Sequence, residues 1–263
     1  MTIEEFTLRT FLTRANVSPD VNLPWVHSTA ASRLISIINN RKLLATPCNV
    51  FIGEKLCYLF VGRAAYKTKS VPNPSEWQLP VVFVVRFHDR PKLKRVFPFD
   101  SGAFRRRLLP DYITTFDLEG YDLADAPENI GRLVSLCFDG GEGYMKRKAV
   151  SEDKLSEKYA LDLRHQQVLA LMRLYAERST AEYDDRAAAV EIQLSEDVAL
   201  AQENLLGVVM PTEFRRTPGL VDAIKQLTQV IECYDHMPLS TECHYGQIYD
   251  CVRRVYRRAG IRL

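Results

Sequence analysis

A chain of 263 residues, 46% hydrophobic and 26% charged, is long enough to bury one large core or two small ones. Its 35 basic and 33 acidic side chains leave a formal charge of +2, which excludes a global electrostatic pull toward nucleic acid and leaves that role to local patches. No apolar run approaches the roughly 18 residues of a membrane span, so no membrane partner is expected.

The opening "MTIEEFTLRT" has neither the basic nor the apolar region of a secretory leader, so a cytoplasmic location is expected. Residues 3–14 read as a helix. Residues 24–28 read as a strand and 30–41 as a helix, with Leu34, Ile35, Ile37 and Ile38 on its inner face. "LCYLFVG" (56–62) is a strand running into a turn at Gly62, and "RAAYKTK" then reads as a short helix. The continuous apolar run "PVVFVVRFH" (80–88) predicts a central strand, and "KRVFPFD" (94–100) another.

From about 102 to 180 the pattern turns helical, in "AFRRRLLPDY", "ENIGRLVSLCF" and "ALDLRHQQVLALMRLYAER", with "GGEGYMKRK" as an exposed loop between them. Strands return at "AAVEIQL" (188–194) and "LLGVVMP" (205–211). A helix at 218–227, a strand at 229–235 and a basic amphipathic helix close the chain. Without a regular strand–helix–strand rhythm or a Gly/Ser linker, this is an α+β fold. It is expected to form one domain over 1–263, with a helical insertion at about 102–180 and a C-terminal helix.

The cysteines at 48, 57, 137, 233, 243 and 251 contain no CxxC pair and read as reduced thiols. Cys233, His236, Cys243, His244 and Cys251 are close in sequence, but their spacing fits no zinc pattern, so no metal is expected.

Three segments carry candidate chemistry. In "VHST", His27 ends a strand, followed at once by the hydroxyls of Ser28 and Thr29 and by a helix start. Such a junction presents hydrogen-bonding groups to a ligand; a purely structural histidine is the alternative. In "CYLFVGRAAYKTK", Tyr58 and Tyr66 suit the walls of a slot for a flat ring, and Arg63 and Lys67 suit phosphates. Core aromatics with wet hydroxyls are the alternative there. In "AAVEIQLSEDVAL", Glu191 interrupts an apolar strand, which is costly unless the carboxylate faces a cleft or the strand is an edge with a solvated polar face.

The order of these segments resembles the ADP-ribosyltransferase fold, in the His–Tyr–Glu branch of diphtheria toxin and the poly(ADP-ribose) polymerases. "VHST" matches that branch's His-x-Thr/Ser motif. "CYLFVGRAAY" resembles its two-tyrosine segment, and "AAVEIQLSEDVALAQENLLGVVMP" resembles the final catalytic strand of DarT-type DNA ADP-ribosyltransferases. The resemblance covers about a fifth of the chain; the helical stretch 102–180 has no counterpart in it, and Tyr58 and Tyr66 lie closer together than in many members.

The resemblance implies a split mixed β-sheet core and NAD as substrate. It implies that His27, supported by Thr29, bonds a ribose of NAD. Tyr58 or Tyr66 stacks on the nicotinamide, and Arg63 lies beside them. Glu191 bonds the nicotinamide ribose and stabilises the oxocarbenium-like charge. Ala189 stands where arginine-directed members carry a second acidic residue, which argues for a nucleic-acid base, another protein side chain or water as acceptor. By analogy the protein would be a mono-ADP-ribosyltransferase acting as a toxin or anti-phage defence effector, restrained by a neutralising partner protein. DNA or RNA is the favoured acceptor, met by Arg253, Arg254, Arg257 and Arg258 on the last helix and by Arg105–Arg107. Two rival readings stand beside this one. An RNA 2′-phosphotransferase would use Arg33, Arg63 and Arg186 around a phosphate. A non-catalytic nucleic-acid-binding module would use the basic helix alone.

Overall fold

The computed structural model describes residues 6–65, 74–177, 187–236 and 243–263. Its strands in chain order are β1 (Trp25–Ala30), β2 (Lys42–Leu43), β3 (Thr46–Pro47), β4 (Lys55–Val61), β5 (Pro80–Val85), β6 (Arg95–Phe97), β7 (Glu191–Leu194), β8 (Val198–Ala199), β9 (Leu205–Pro211) and β10 (Ile231–Tyr234). The helices are α1 (Leu8–Arg14), α2 (Leu34–Asn40), α3 (Ser101–Arg105), α4 (Asp111–Thr114), α5 (Asn129–Phe138), α6 (Gly141–Met145), α7 (Glu152–Tyr159), α8 (Gln166–Ala176), α9 (Leu220–Lys225) and α10 (Cys243–Arg258). The class is α+β with a mixed sheet. No helix among the described residues is long and apolar enough to cross a membrane.

The chain divides into two compact units. The first comprises Met1–Leu23, Leu93–Ile192 and Leu263; the second comprises Pro24–Lys92 and Gln193–Arg262, so one boundary falls inside β7. The stretch read as a helical insertion therefore belongs to a unit that also includes the N-terminal segment.

The first unit is built on α5, whose residues are nearly all buried. α1 packs on α5 and α8 through Leu8, Phe11 and Leu12, with Thr7 accepting from the Thr10 amide at 3.2 Å as its cap. Gly131 of α5 lies so close to the chain at Pro19 that a Cβ there would sit 2.1 Å from the Pro19 carbonyl oxygen. The expected loop "GGEGYMKRK" instead contains α6. Asp139 and Gly140, at φ 55° and 105°, end α5 and turn the chain so that Tyr144 and Met145 can be buried.

The second unit is a sheet in which β1 lies between β4 and β5, β9 pairs with β5, and β10 pairs with β9. Of these pairings, β1–β4, β1–β5 and β5–β9 are antiparallel and β9–β10 is parallel. β5 is buried from end to end, as its unbroken apolar run predicts. α10 covers β9 and β10 with Ile248, Cys251, Val252, Val255 and Tyr256. Gly207 permits this approach, because a Cβ there would lie 2.8 Å from a Val255 methyl.

These two glycine environments give opposite expectations. Gly131→Ala pushes a methyl into backbone that has nowhere to go, and should cost about 1–3 kcal/mol by urea unfolding. Gly246→Ala in α10 meets open space and should leave stability unchanged or raise it by up to about 1 kcal/mol. Equal midpoints for Gly131→Ala and wild type would refute the close approach of α5 to Pro19.

Candidate functional site

In the second unit, β1 delivers His27 beside β4. Trp25 and Val26 pair with Val61 and Phe60; two residues further along β4, the Tyr58 carbonyl is met by the His27 ring, with Nδ1 2.7 Å from the oxygen. A carbonyl only accepts, so Nδ1 carries the hydrogen and Nε2 of the neutral ring carries a lone pair. Burial holds the His27 pKa below its ordinary 6.5, the Arg33 charge acts in the same direction, and the bond to Tyr58 opposes them. The imidazole is thus oriented, neutral at pH 7, and an acceptor at Nε2.

Thr29 lies two positions along the same strand and shares the His27 side of the sheet; both are half-buried. Ser28 points to the other side, where its hydroxyl is buried without a hydrogen-bond partner among the described residues. Tyr58 is half-buried, and its hydroxyl lies 2.8 Å from the Cys48 sulfur. That sulfur also accepts from the Val50 and Phe51 amides at 3.2 Å. Tyr66 lies outside the described residues, as do Lys67 and Arg186.

Arg63 is 2% exposed. Its Nε donates to the Tyr249 hydroxyl at 3.0 Å, and its guanidinium carbon lies 5.7 Å from that ring's centroid. Tyr256 donates to the Gly62 carbonyl at 2.6 Å, so two tyrosines of α10 grip the turn after β4. Arg33 is exposed.

In the first unit, Glu191 opens β7 at 1% exposure. The Ser101 hydroxyl donates to Oε1 at 2.6 Å and the Ser101 amide donates to Oε2 at 3.2 Å. The solvated-edge alternative does not hold, since Gln193 is buried as fully as Glu191. His27, Thr29, Tyr58 and Arg63 therefore belong to one unit and Glu191 to the other. Ser101 escaped the sequence reading. Its one signal was "FPFDSGAF", where Asp100 precedes a helical period as a cap residue does.

The basic stripe on α10 is half committed. Arg254 donates to Glu232 at 2.6 Å and pairs with Asp250; Arg258 reaches Glu232 at 3.1 Å. Arg253 and Arg257 have no carboxylate partner among the described residues. Arg105 pairs with Glu119 at 2.9 Å. Burial pushes the thiols of Cys57 and Cys251 up to about 12 and about 11, so neither is a nucleophile near neutral pH. Among the described residues no group of three or more His, Cys, Asp or Glu could hold a metal. No protein-family model matches the chain, and no curated protein matches it.

The His27 environment fixes a pH dependence. Above 6.5 the ring is neutral in folded and unfolded chains alike. As pH falls through that value the unfolded chain takes up the proton first, because the folded pKa is lower, so stability is lost on the acid side. His244, also held low by burial, contributes in the same direction. His27→Gln should therefore flatten, without abolishing, the fall in urea midpoint between pH 7 and pH 5. An unchanged slope would show that the His27 ring is not held neutral by its surroundings.

Proposed function

We propose that this chain is a cytoplasmic, NAD-dependent mono-ADP-ribosyltransferase with Glu191 as its catalytic carboxylate. The observation that carries the proposal is Glu191 itself: a carboxylate at 1% exposure, at the start of a strand, with both oxygens engaged by one serine. A fixed anion in a water-poor place is suited to stabilising positive charge, and breaking the nicotinamide–ribose bond of NAD develops such charge on the ribose. Preorganised groups of this kind lower barriers by several kcal/mol because they need no reorganisation when the charge appears. His27 supports the same reading. Within the second unit its Nε2 is an acceptor suited to a ribose hydroxyl, and Thr29 beside it on the strand and Tyr58 on β4 are the groups that the resemblance associates with it. Arg63, buried against Tyr249, holds the turn after β4.

The acceptor we propose is a nucleic acid, approached through Arg253 and Arg257, and the biological setting is a toxin or anti-phage defence effector restrained by a partner protein. The phosphotransferase alternative is weaker, because it asks Arg63 for a phosphate contact while that side chain is turned to Tyr249.

Glu191→Gln keeps the shape and removes the charge. It should retain NAD binding, by calorimetry, while nicotinamide release falls by about 10²–10³. Release near the wild-type rate would reduce Glu191 to a structural residue and end the transferase proposal.

Salt separates two free arginines from four. Two phosphate contacts give a slope of about −1.8 in log K against log salt for duplex DNA, whereas four would give about −3.6. Raising salt from about 50 to about 200 mM should thus weaken acceptor binding roughly tenfold rather than hundredfold. Charge reversal at Arg253 and Arg257 should raise KM for the acceptor and leave KM for NAD in place. Label that appears on protein alone, at a rate indifferent to salt, would move the acceptor to a protein side chain.

A further inference from the structure

We propose that Ser101 is a positioning residue that sets both the orientation and the ionisation of Glu191; this rests on Glu191 being the catalytic carboxylate. One donor would leave a carboxylate free to swing about the bond. Here the Ser101 hydroxyl takes Oε1 at 2.6 Å and the Ser101 amide takes Oε2 at 3.2 Å, so the plane of the group is fixed at two points. Both residues are essentially inaccessible to water. In such a place desolvation favours the protonated acid, and donors to the anion oppose it. The short hydroxyl bond is the stronger of these two donors, and it favours the charged form of Glu191.

Each end of the contact is braced independently within the first unit. On the serine side, the Asp100 carboxylate accepts from the Ala103 amide at 2.5 Å, and the Tyr175 hydroxyl donates to the Pro98 carbonyl at 2.7 Å. The Phe99 ring stacks on Phe104 at 5.6 Å, with Tyr121 edge-on to it at 5.0 Å. On the glutamate side, the Tyr144 hydroxyl accepts from the Val190 amide at 2.9 Å, which holds the backbone one residue before the carboxylate. A serine that only filled space would not need a platform on both sides. A group required to present an anion at one place and one angle does, since small misplacements of a catalytic group are expensive in rate.

The test compares Ser101→Ala, Ser101→Cys and Glu191→Gln in the full chain, reading nicotinamide release from NAD, its pH profile and the thermal midpoint. Loss of a hydrogen bond to a charged group corresponds to a fall of about 10- to 100-fold in kcat for Ser101→Ala at pH 7, with KM for NAD changed by no more than about twofold. The acid limb of the kcat profile should move to higher pH, because removing a donor to the anion favours the protonated acid. Ser101→Cys, which keeps the volume and a weak donor, should fall between the two and covers the case in which the alanine variant does not fold. On the Glu191→Gln background, Ser101→Ala should cause no further loss of kcat, because its effect passes through the carboxylate.

The failures are distinguishable. A Glu191→Gln variant with full activity overturns the assignment of Glu191. An inactive Glu191→Gln beside a Ser101→Ala, or Ser101→Cys, with wild-type kcat and an unmoved acid limb overturns the positioning role alone. A lowered thermal midpoint with the pH profile unchanged makes Ser101 merely structural and also overturns it.

Discussion

The two hydrogen bonds from Ser101 to Glu191 join residues 90 positions apart, and a carboxylate at 1% exposure could not stand in that place without donors. Everything from α3 to α8 lies between the two residues in sequence, so the contact closes the whole helical stretch at its base. Loop closure over that length costs little more than over half of it, because the entropy grows only with the logarithm of loop length. The penalty for an unpaired buried carboxylate is far larger than that increment. The contact therefore favours those arrangements of the helices that bring "FPFDSGAF" to the start of β7, since others lose these two donors to the anion. Tyr144 acts in the same sense, since it takes the Val190 amide from within the helical stretch.

His27 follows a similar logic with the opposite polarity. In a sheet, a carbonyl such as that of Tyr58 is ordinarily satisfied by a backbone amide of the next strand. Here an imidazole also meets it, at 2.7 Å. The contact fixes the tautomer, and burial then disfavours the imidazolium, so an acceptor nitrogen results. Each candidate group thus has a neutral partner, the Tyr58 carbonyl for His27 and Ser101 for Glu191.

The legible parts of the sequence were those where one period or one residue type sufficed. The run "PVVFVV" is β5, buried throughout, because continuous apolar text has no face to offer water. Glu191 stood out as a charge in an apolar run, although β7 proper begins only there, and residues 188–190 reach burial without strand pairing. Its partner did not stand out, because "DSG" reads as a helix cap and nothing local says that the serine faces a carboxylate 90 positions on. The "GGEGYMKRK" segment misled for a related reason. Glycine and charge suggest a loop, but Gly140 turns the chain at φ 105° and Gly143 allows close packing, since a Cβ there would lie 1.8 Å from the Phe138 carbonyl oxygen. Tyr58, Arg63 and Cys48 carry roles set by partners that sequence spacing does not reveal.

α10 shows why a count of arginines overstates a charged surface. Its arginine and tyrosine alternation resembles a nucleic-acid stripe, yet most of those side chains turn back on their own unit. Tyr249 and Tyr256 are used on Arg63 and the Gly62 carbonyl, and Arg254 and Arg258 are used on Glu232. Glu232 lies on β10 and is itself buried, so it needs cationic partners from the helix that covers it. The helix is thus basic in part because the strand beneath it is acidic. Tyr249 and Tyr256 do the complementary service at the turn after β4, where their hydroxyls meet a buried guanidinium and a buried carbonyl. What remains for an outside partner is the pair Arg253 and Arg257, one helical turn apart on a face the sheet does not use. Two cations at that spacing match adjacent phosphates of a nucleic-acid backbone well enough to orient it, and are too few to hold it by charge alone.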